Sequence, residues 1–245
     1  MTKPHSTSIM SYNIFTDDIN RLTITDTQQI INTINPHSYV TAKSDPLFET
    51  ALRDSDVLLP DGSGIVIAAK NLHGRQIQKI AGADLHIHLL QLLNSSGGKC
   101  FYMGASQNTL DKIKEKLSTE YPNITPAFYS PPFKPEFSEE DNTAIRQVIN
   151  DFEPDVLFVG MTAPKQEKWL HQHKEMLNTK VACSIGAVFD FYAGTVQRPS
   201  QFWIDLHLEW LPRLLKEPKR LWRRNFISTP LFLIDLLGYK IGIKK

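Results

Sequence analysis

Four short, almost continuously apolar runs constrain the fold of this chain more than any other feature of its sequence. They cover residues 57–59, 99–103, 156–160 and 181–186. Segments with helical periodicity separate them, and strands that are apolar throughout are typical of parallel sheets covered by helices on both faces. The sequence therefore predicts an α/β fold with a Rossmann-like, doubly wound and mostly parallel sheet.

Further elements are predicted around these runs. We expect an N-terminal β-hairpin within residues 8–24 with its turn at Asp17 and Asp18, a helix from Thr25 or Asp26 through Asn35, and a strand over 37–42. Periodic segments predict helices over 46–52, 65–72, 83–93, 141–152 and 164–178, a helix that ends at Leu117, and a strand over 127–129. The α/β rhythm stops near residue 195, which predicts an α/β core over 1–195 and a helical, basic appendage over 196–245.

The net charge of +1 conceals a strongly basic C-terminal segment. Residues 213–245 contain nine Lys or Arg and two acids, which gives +7 and leaves about −6 for residues 1–212. The cationic cluster consists of Arg213, Lys216, Lys219, Arg220, Arg223 and Arg224. Segregated charge of this kind predicts an anionic partner for the tail, such as phosphates or anionic lipid.

The segment after the cluster, residues 226–243, is apolar but interrupted by Pro230, Asp235, Gly238 and Lys240. It is too broken to span a bilayer and suits a position in the membrane interface, with its basic flanks on the headgroups. A solvated basic helix followed by a segment docked on the core is the alternative. Nucleic acid is disfavoured as a partner, because the cluster is short and lacks evident aromatic stacking platforms.

The termini and the cysteines indicate the compartment. We expect no signal peptide, because the N-terminus has no apolar stretch of the required length, and no membrane span. Cys100 and Cys183 both lie inside apolar strand-like runs, so we interpret them as buried thiols in a reducing compartment.

The first polar loop at the end of a predicted strand reads Pro60-Asp61-Gly62-Ser63-Gly64. Ligands of open α/β sheets bind outside the carboxyl ends of the strands, where glycines allow close backbone approach and a helix N-terminus favours anions. Asp61 is placed to act as a general base. An aspartate that merely caps the next helix explains the segment equally well. The GxGxxG dinucleotide fingerprint is absent from the chain.

Two more strand-end loops carry polar residues. Lys165 and Gln166 stand in the first turn of the predicted helix after the strand at 156–160, where side chains can reach a ligand. Glu167 suits the helix dipole without any function. Asp190 follows the strand at 181–186 among aromatic residues, where an acid is usually paired or functional, and a structural role is an equal alternative.

Two His-x-His pairs, His86/His88 and His171/His173, resemble metal-ligand spacing. On a helix, residues i and i+2 do not share a face, so neither pair makes a good two-ligand site. No acidic pair of the DxD type stands at a predicted strand end, so we expect no metal and no other cofactor.

These segments together resemble the bacterial WecG/TagA/CpsF glycosyltransferases, which build lipid-linked cell-surface polysaccharides. The matching segments cover roughly residues 39–224 and read VTAKSDP, LLPDGSGIVIAAK, IAGADL, FYMGAS, FVGMTAPKQEKW, IGAVFDFYAGTVQRP and LEWLPRLLKEPKRLWRR. The PDG, PKQE and LEW…EPKR segments are specific as a set.

The resemblance implies an enzyme that inverts the anomeric centre while moving a hexose or N-acetylhexosamine from a UDP-sugar to an undecaprenyl-diphosphate-linked sugar, in polysaccharide or teichoic acid synthesis. It assigns catalytic positions to Asp61, Thr41 and Gln166, and implies that the C-terminal arginines close over the site. The remaining substrate-binding candidates are Gly62, Gly64, Lys79, Asp190, Arg198, Arg213, Arg220, Arg223 and Arg224. The protein would be cytoplasmic and peripheral on the inner face of the plasma membrane.

Several positions depart from the family pattern, among them Arg198-Pro199, which lacks the usual intervening Ala. Lys43 stands where Asn is usual, Lys79 where Arg is usual, and Thr162 and Ala187 where Gly is usual. Lys in place of Arg keeps the charge but loses bidentate geometry. These departures suggest a donor other than the N-acetylmannosamine of the best-known members, or a nucleotide-sugar-binding peripheral membrane protein without catalysis. The apolar tail also permits a homo-oligomer off the membrane.

Overall fold

A computed structural model of the chain describes residues 5–196, 203, 211, 214, 215 and 218–244, with the backbone alone at 219 and 220. The strands among them are β1 Ser6–Ile9, β2 Tyr12–Phe15, β3 Gln29–Ile34, β4 Val57–Pro60, β5 Lys99–Gly104, β6 Thr125–Tyr129, β7 Val156–Gly160 and β8 Val181–Ser184. The main helices are α1 Pro36–Ala42, α2 Pro46–Arg53, α3 Ser63–His73, α4 Gly82–Ser96, α5 Gln107–Glu120, α6 Glu139–Phe152, α7 Lys165–His173, α8 Val188–Tyr192, α9 Pro218–Arg223 and α10 Thr229–Lys240.

Strands β3 to β8 form one parallel sheet in the order β4-β3-β8-β7-β5-β6, and β1 and β2 form a separate antiparallel hairpin. Because all six strands of the main sheet run the same way, their carboxyl ends share one edge. The α/β fold class, the N-terminal hairpin and the C-terminal helical segment predicted from the sequence are confirmed.

Helices cover both faces of this sheet. Successive strand residues alternate between faces, so Val156 and Phe158 contact the core formed with α4 and α5, whereas Leu157 and Val159 contact the core formed with α6 and α7. A third core joins Ile34 and Leu58 to the hairpin, α1, α2, α3 and α10. This double covering explains why the strands are apolar throughout.

Two predicted elements are wrong. Residues 29–34 form the strand β3 and not the end of a helix, because Ile30, Ile31 and Ile34 are buried in cores on both faces of the sheet. The predicted strand over 37–42 is the helix α1. Its start is fixed by the Asn35 side chain, which accepts the backbone N–H groups of His37 and Ser38, and by a proline in the first turn.

The hairpin is also displaced from its predicted position. Its turn lies at Met10 and Ser11, which both have positive φ (48° and 69°), as a two-residue hairpin turn requires. The predicted turn residues have other contacts. The Asp17 carboxylate accepts a hydrogen bond from the backbone N–H of His5, and Asp18 caps a short 3₁₀ helix over Ile19–Arg21.

The last helix, α10, packs against α1 and α3. Phe232 and Leu236 are buried in the third core, while Leu231, Ile234 and Leu237 on the other side of the helix are exposed. The alternative of a segment docked on the core describes the buried face of α10, and the membrane-interface interpretation stays a prediction for its exposed face. Within the described part of the chain, no helix combines the length and the apolarity needed to cross a membrane.

Candidate active site

The loop after β4 places Asp61 at the carboxyl edge of the sheet. The Asp61 N–H donates to the carbonyl oxygen of Ile34 at the end of β3 (2.9 Å), and the Pro60 carbonyl accepts the N–H of Ile80 (3.0 Å). These two bonds hold the Asp61 loop between the end of the neighbouring strand and the segment that carries Lys79. Asp61 and Lys79 are both half-buried.

Both glycines of this loop have a structural reason: the backbone conformation of Gly62 and the close packing of Gly64 against neighbouring helices. Gly62 has φ +94°, which favours glycine. A Cβ on Gly64 would lie 2.4 Å from Cγ of Pro36 and 3.4 Å from the ring of Phe232. Gly64 therefore lets the N-terminus of α3 pack against the first turn of α1 and against α10. Both glycines support the position of the Asp61 loop.

Thr41 lies on the helix α1, and not on the strand that the sequence predicted for it. Its hydroxyl donates to the carbonyl oxygen of His37 one helical turn earlier (2.9 Å). Thr41 is half-buried.

His37 is a candidate site residue that the sequence did not suggest. It is the second residue of α1, directly after the Asn-Pro pair at the end of β3, and its Nδ1 lies 2.9 Å from the Ser228 hydroxyl. Burial, and next the positive charge of Arg224, lower the pKa of the His37 imidazole. The position directly after a strand end is the signal that could have identified it.

The basic tail thus reaches the carboxyl edge of the sheet through one π-helical turn, Arg224–Ser228, which packs against α1. Arg224 lies close enough to His37 to affect its pKa. Arg223 is exposed and its guanidinium lies over the ring of Trp222, 5.5 Å from the centroid. Of the other predicted tail residues, Arg198, Arg213 and the side chain of Arg220 lie outside the described residues.

Gln166 begins the second half of the site, on the first turn of α7. It is buried, its Oε1 accepts the N–H of Met161 (3.2 Å), and its Nε2 donates to Oε1 of Glu167 (2.9 Å). Burial raises the pKa of the Glu167 carboxyl to about 7, against which the hydrogen bond from Gln166 acts.

Lys165, next to Gln166, is turned towards the loop over 130–137. Its ammonium donates to the carbonyl oxygen of Lys134 (2.6 Å) and lies 3.5 Å from the centroid of the Phe137 ring. Burial lowers the pKa of Lys165. The lysine is thus held by this loop.

Asp190 lies on the short helix α8 after β8. Its Oδ1 accepts hydrogen bonds from the hydroxyls of Thr195 (3.2 Å) and Thr109 (3.5 Å), the latter on α5. The carboxylate therefore links two strand-end segments of the sheet, which supports its structural interpretation without removing a ligand role.

Lys43, which departs from the family pattern, contacts the C-terminal helix. Its ammonium donates to Asp235 (2.5 Å), which also accepts hydrogen bonds from Tyr39 and Lys244. Asp235 is buried, and the hydrogen bonds from Lys244 and Lys43 outweigh the effect of burial and lower its pKa. Lys43 thus fastens α10 to α1.

The His-x-His residues make separate structural contacts. His86 bonds to the Tyr102 hydroxyl (2.7 Å), His88 to the Leu22 carbonyl (2.8 Å), and His173 to Arg146 (3.1 Å), while His171 lies 3.9 Å from Asp54. Within the described ranges, no three His, Cys, Asp or Glu side chains are grouped as metal ligands.

The strand order brings these residues to one edge in two groups. Asp61 and His37 follow the ends of β4 and β3, with Arg224 of the tail near His37, and Gln166 follows the end of β7. From β4 to β7 there are three inter-strand steps, roughly 14 Å in all. The two groups are therefore separated along the edge of the sheet, with a carboxylate and cations in one group and the Gln166 amide in the other.

Comparison with known proteins identifies the chain's relatives. Residues 6–245 match the family described as Glycosyl transferase WecG/TagA/CpsF family. Three similar proteins are each called N-acetylglucosaminyldiphosphoundecaprenol N-acetyl-beta-D-mannosaminyltransferase. That of Bacillus subtilis (strain 168) is 33% identical over 208 residues, which are 85% of this chain and 78% of the relative.

The second relative, from Bacillus spizizenii, is 33% identical over 211 residues, 86% of this chain and 79% of its own. That of Staphylococcus aureus (strain MW2) is 29% identical over 215 residues, 88% of this chain and 82% of its own. Matches of this extent, together with the α/β fold, show that the chain belongs to the WecG/TagA/CpsF family of glycosyltransferases.

Proposed function

We propose that this chain is an inverting glycosyltransferase that moves a hexose or N-acetylhexosamine from a UDP-sugar to an undecaprenyl-diphosphate-linked sugar. Family membership and the names of the relatives support the reaction class and the lipid-linked acceptor. The observation that carries the proposal is the position of Asp61 and His37 after the neighbouring strands β4 and β3, with Arg224 close to His37, because glycosyl transfer needs a base and a cation in one site.

In this reaction Asp61 removes the proton from the acceptor hydroxyl. The acceptor oxygen then bonds to the anomeric carbon from the face opposite the UDP, and the bond from that carbon to the diphosphate oxygen breaks. The electron pair leaves with UDP, so the configuration inverts. Lys79 and the tail arginines stabilise the developing charge on the diphosphate, which is why we propose that no metal is needed.

We also propose that the exposed face of α10 lies against the membrane that carries the acceptor. Phe226, Ile234 and Ile241 are each more than 60% exposed, and Lys240 stands on the same segment. Apolar residues of this kind enter the boundary between headgroups and acyl chains, while the basic residues contact anionic headgroups. The protein would then work on the cytoplasmic face of the plasma membrane.

The test is UDP release by the purified protein with a panel of UDP-sugars, a short-chain polyprenyl-diphosphate-sugar acceptor, and EDTA. We expect release that depends on the acceptor and occurs with one donor. If folded protein binds UDP-sugars but releases no UDP with any donor or acceptor sugar, the chain is a non-catalytic nucleotide-sugar-binding protein. If EDTA abolishes UDP release and added Mg²⁺ restores it, the proposed metal independence is wrong, but the proposed glycosyl transfer is not.

A further inference from the structure

The Gln166 side chain has only part of its hydrogen-bonding capacity left for a ligand. A primary amide has two N–H donors and one carbonyl acceptor. The carbonyl oxygen accepts from Met161 and one N–H donates to Glu167. The Met161 N–H is a donor and the Glu167 carboxylate oxygen is an acceptor, so these two contacts fix which end of the amide is which.

Gly186 leaves room for the amide in this orientation. A Cβ at Gly186 would lie 3.4 Å from both Nε2 and Oε1 of Gln166, and 3.3 Å from the Met161 carbonyl oxygen. Gly186 also has φ +47°, which favours glycine, and of these approaches only the 3.3 Å to the Met161 carbonyl oxygen is tighter than ordinary contact. The amide is therefore packed against the backbone at the end of β8.

Glu167 is well placed to hold the amide because it is itself held in the protein interior. It is 3% exposed, and its second oxygen, Oε2, is buried without a hydrogen-bond partner among the described residues. The same is true of Asn32 Oδ1 and Ser184 Oγ. By strand alternation Asn32 and Ser184 point to the sheet face that α7 covers, so three buried polar groups share one layer.

We propose that Glu167 is a positioning residue that fixes the Gln166 amide, so that its remaining N–H donates to an oxygen of the bound sugar nucleotide. This inference rests on the proposed function. It gives Gln166 a defined role as a hydrogen-bond donor, since its carbonyl is committed to Met161. The contact is kept in both protonation states of Glu167, because a neutral carboxyl also retains an acceptor oxygen.

A double-mutant cycle tests the proposal. Glu167→Gln keeps an acceptor oxygen in the same place, whereas Glu167→Leu removes it in a similar volume. Donor KM and kcat are measured from UDP release, for both variants and for Gln166→Ala. We expect Glu167→Gln to retain kcat/KM for the donor within about threefold, and Glu167→Leu to lose about tenfold or more, as one charge-assisted hydrogen bond would.

The decisive comparison uses the Gln166→Ala background. If Glu167 acts through Gln166, Glu167→Leu causes no further loss of kcat/KM there. An equal loss in both backgrounds, or a Glu167→Gln variant as impaired as Glu167→Leu, would overturn the proposal. Glu167→Met serves as the second apolar variant if the leucine protein does not fold.

A spectroscopic measurement separates failure of this inference from failure of the proposed function. The side-chain amide of Gln166 is observed by NMR in ¹⁵N-labelled protein and assigned with Gln166→Ala. We expect two well-separated amide protons in the wild type and in Glu167→Gln, and a shifted pair in Glu167→Leu. If the Gln166 amide signals of Glu167→Leu are the same as those of the wild type, Glu167 does not position Gln166, whatever the activity of the protein.

Discussion

Glu167 makes the stability of the protein depend on pH. Its pKa is about 7 in the folded protein and near 4.5 in the unfolded chain, so the folded state binds the proton more tightly. This contribution to stability is complete below pH 4.5 and is lost as pH rises through 7. The loss is about 3 kcal/mol, from roughly 1.4 kcal/mol for each unit of pKa difference.

The measurement is urea unfolding of the wild type and Glu167→Gln at pH 5 and pH 8. Between pH 5 and pH 8 the free energy of unfolding of the wild type should fall by about 3 kcal/mol relative to that of Glu167→Gln. Comparing the two proteins at each pH cancels the contributions of other titrating groups to stability. One of these is His37, whose lowered pKa makes stability rise with pH. A difference that stays constant with pH contradicts the prediction.

Asp61→Asn tests the proposed base. The substitution keeps the size of the side chain but removes its capacity to take a proton. We expect kcat to fall by about 10²–10⁴-fold, the usual contribution of a general base, with the melting temperature within a few degrees of the wild type. Near-wild-type turnover of Asp61→Asn would exclude Asp61 as the base.

At the residue scale, the sequence predicts where a polar residue lies in the fold better than it predicts which residues that side chain contacts. The positions of Asp61, Gln166 and Asp190 after strand ends were predicted because strand-end loops can be recognised from the chain itself, and their roles in a site stay predictions. The role of Glu167 was missed because its burial depends on the sheet face that it packs against. Lys43 was interpreted as a possible specificity residue, but its partner, Asp235, is almost two hundred residues away.

At the element scale, a glycine fixes the position of α8. A Cβ on Gly160, the last residue of β7, would lie 2.5 Å from ring atoms of Phe189, which is buried. Gly160→Ala should lower the free energy of unfolding by about 1–3 kcal/mol, because neither the strand nor the ring can move easily. It should also displace the helix that carries Asp190.

Gly238→Ala is the matched control for that prediction. Gly238 lies within α10, and a Cβ there would only reach ordinary contact distance, 3.4 Å, from the Lys244 side chain. We expect a gain of roughly 0.5–1 kcal/mol, because alanine favours the helix. Denaturant unfolding of both variants measures the effects, and a neutral Gly160→Ala would show that Phe189 can repack.

Elements with long periodic patterns were predicted well, and short ones were not. Helices α4 and α6 lie within a few residues of their predicted bounds. The secondary structure predicted for residues 25–42 was wrong because β3 and α1 are both short. In short apolar segments, periodicity alone does not separate a strand from a helix. The Asn-Pro pair that starts α1 was the local signal that should have decided it.

At the scale of the whole molecule, substitutions at two residues of α10 test the proposed membrane contact separately from folding. Ile234 is 62% exposed, whereas Phe232 is fully buried against α1 and α3. Ile234→Ser should weaken binding to anionic vesicles and leave the melting temperature nearly unchanged. Phe232→Ala should lower the free energy of unfolding by about 3–5 kcal/mol.

Vesicle flotation and thermal unfolding of the two variants check this pair. Binding should also weaken with added salt and on neutral phosphatidylcholine vesicles, because the basic residues act through charge. If Ile234→Ser binds anionic vesicles like the wild type, the exposed face of α10 is not the membrane contact.

The ion pairs of Asp235 with Lys43 and Lys244 have a consequence for the proposed membrane contact of α10. They tie the outward-facing helix to the same core that holds the Asp61 loop. A lipid surface that binds the helix therefore acts as a stabilising ligand of the whole protein. A hundredfold excess of accessible lipid over its dissociation constant would add about 2.7 kcal/mol to the stability of the fold. If α10 binds vesicles as proposed, they should raise the melting temperature of the segment that carries Asp61 together with that of the helix.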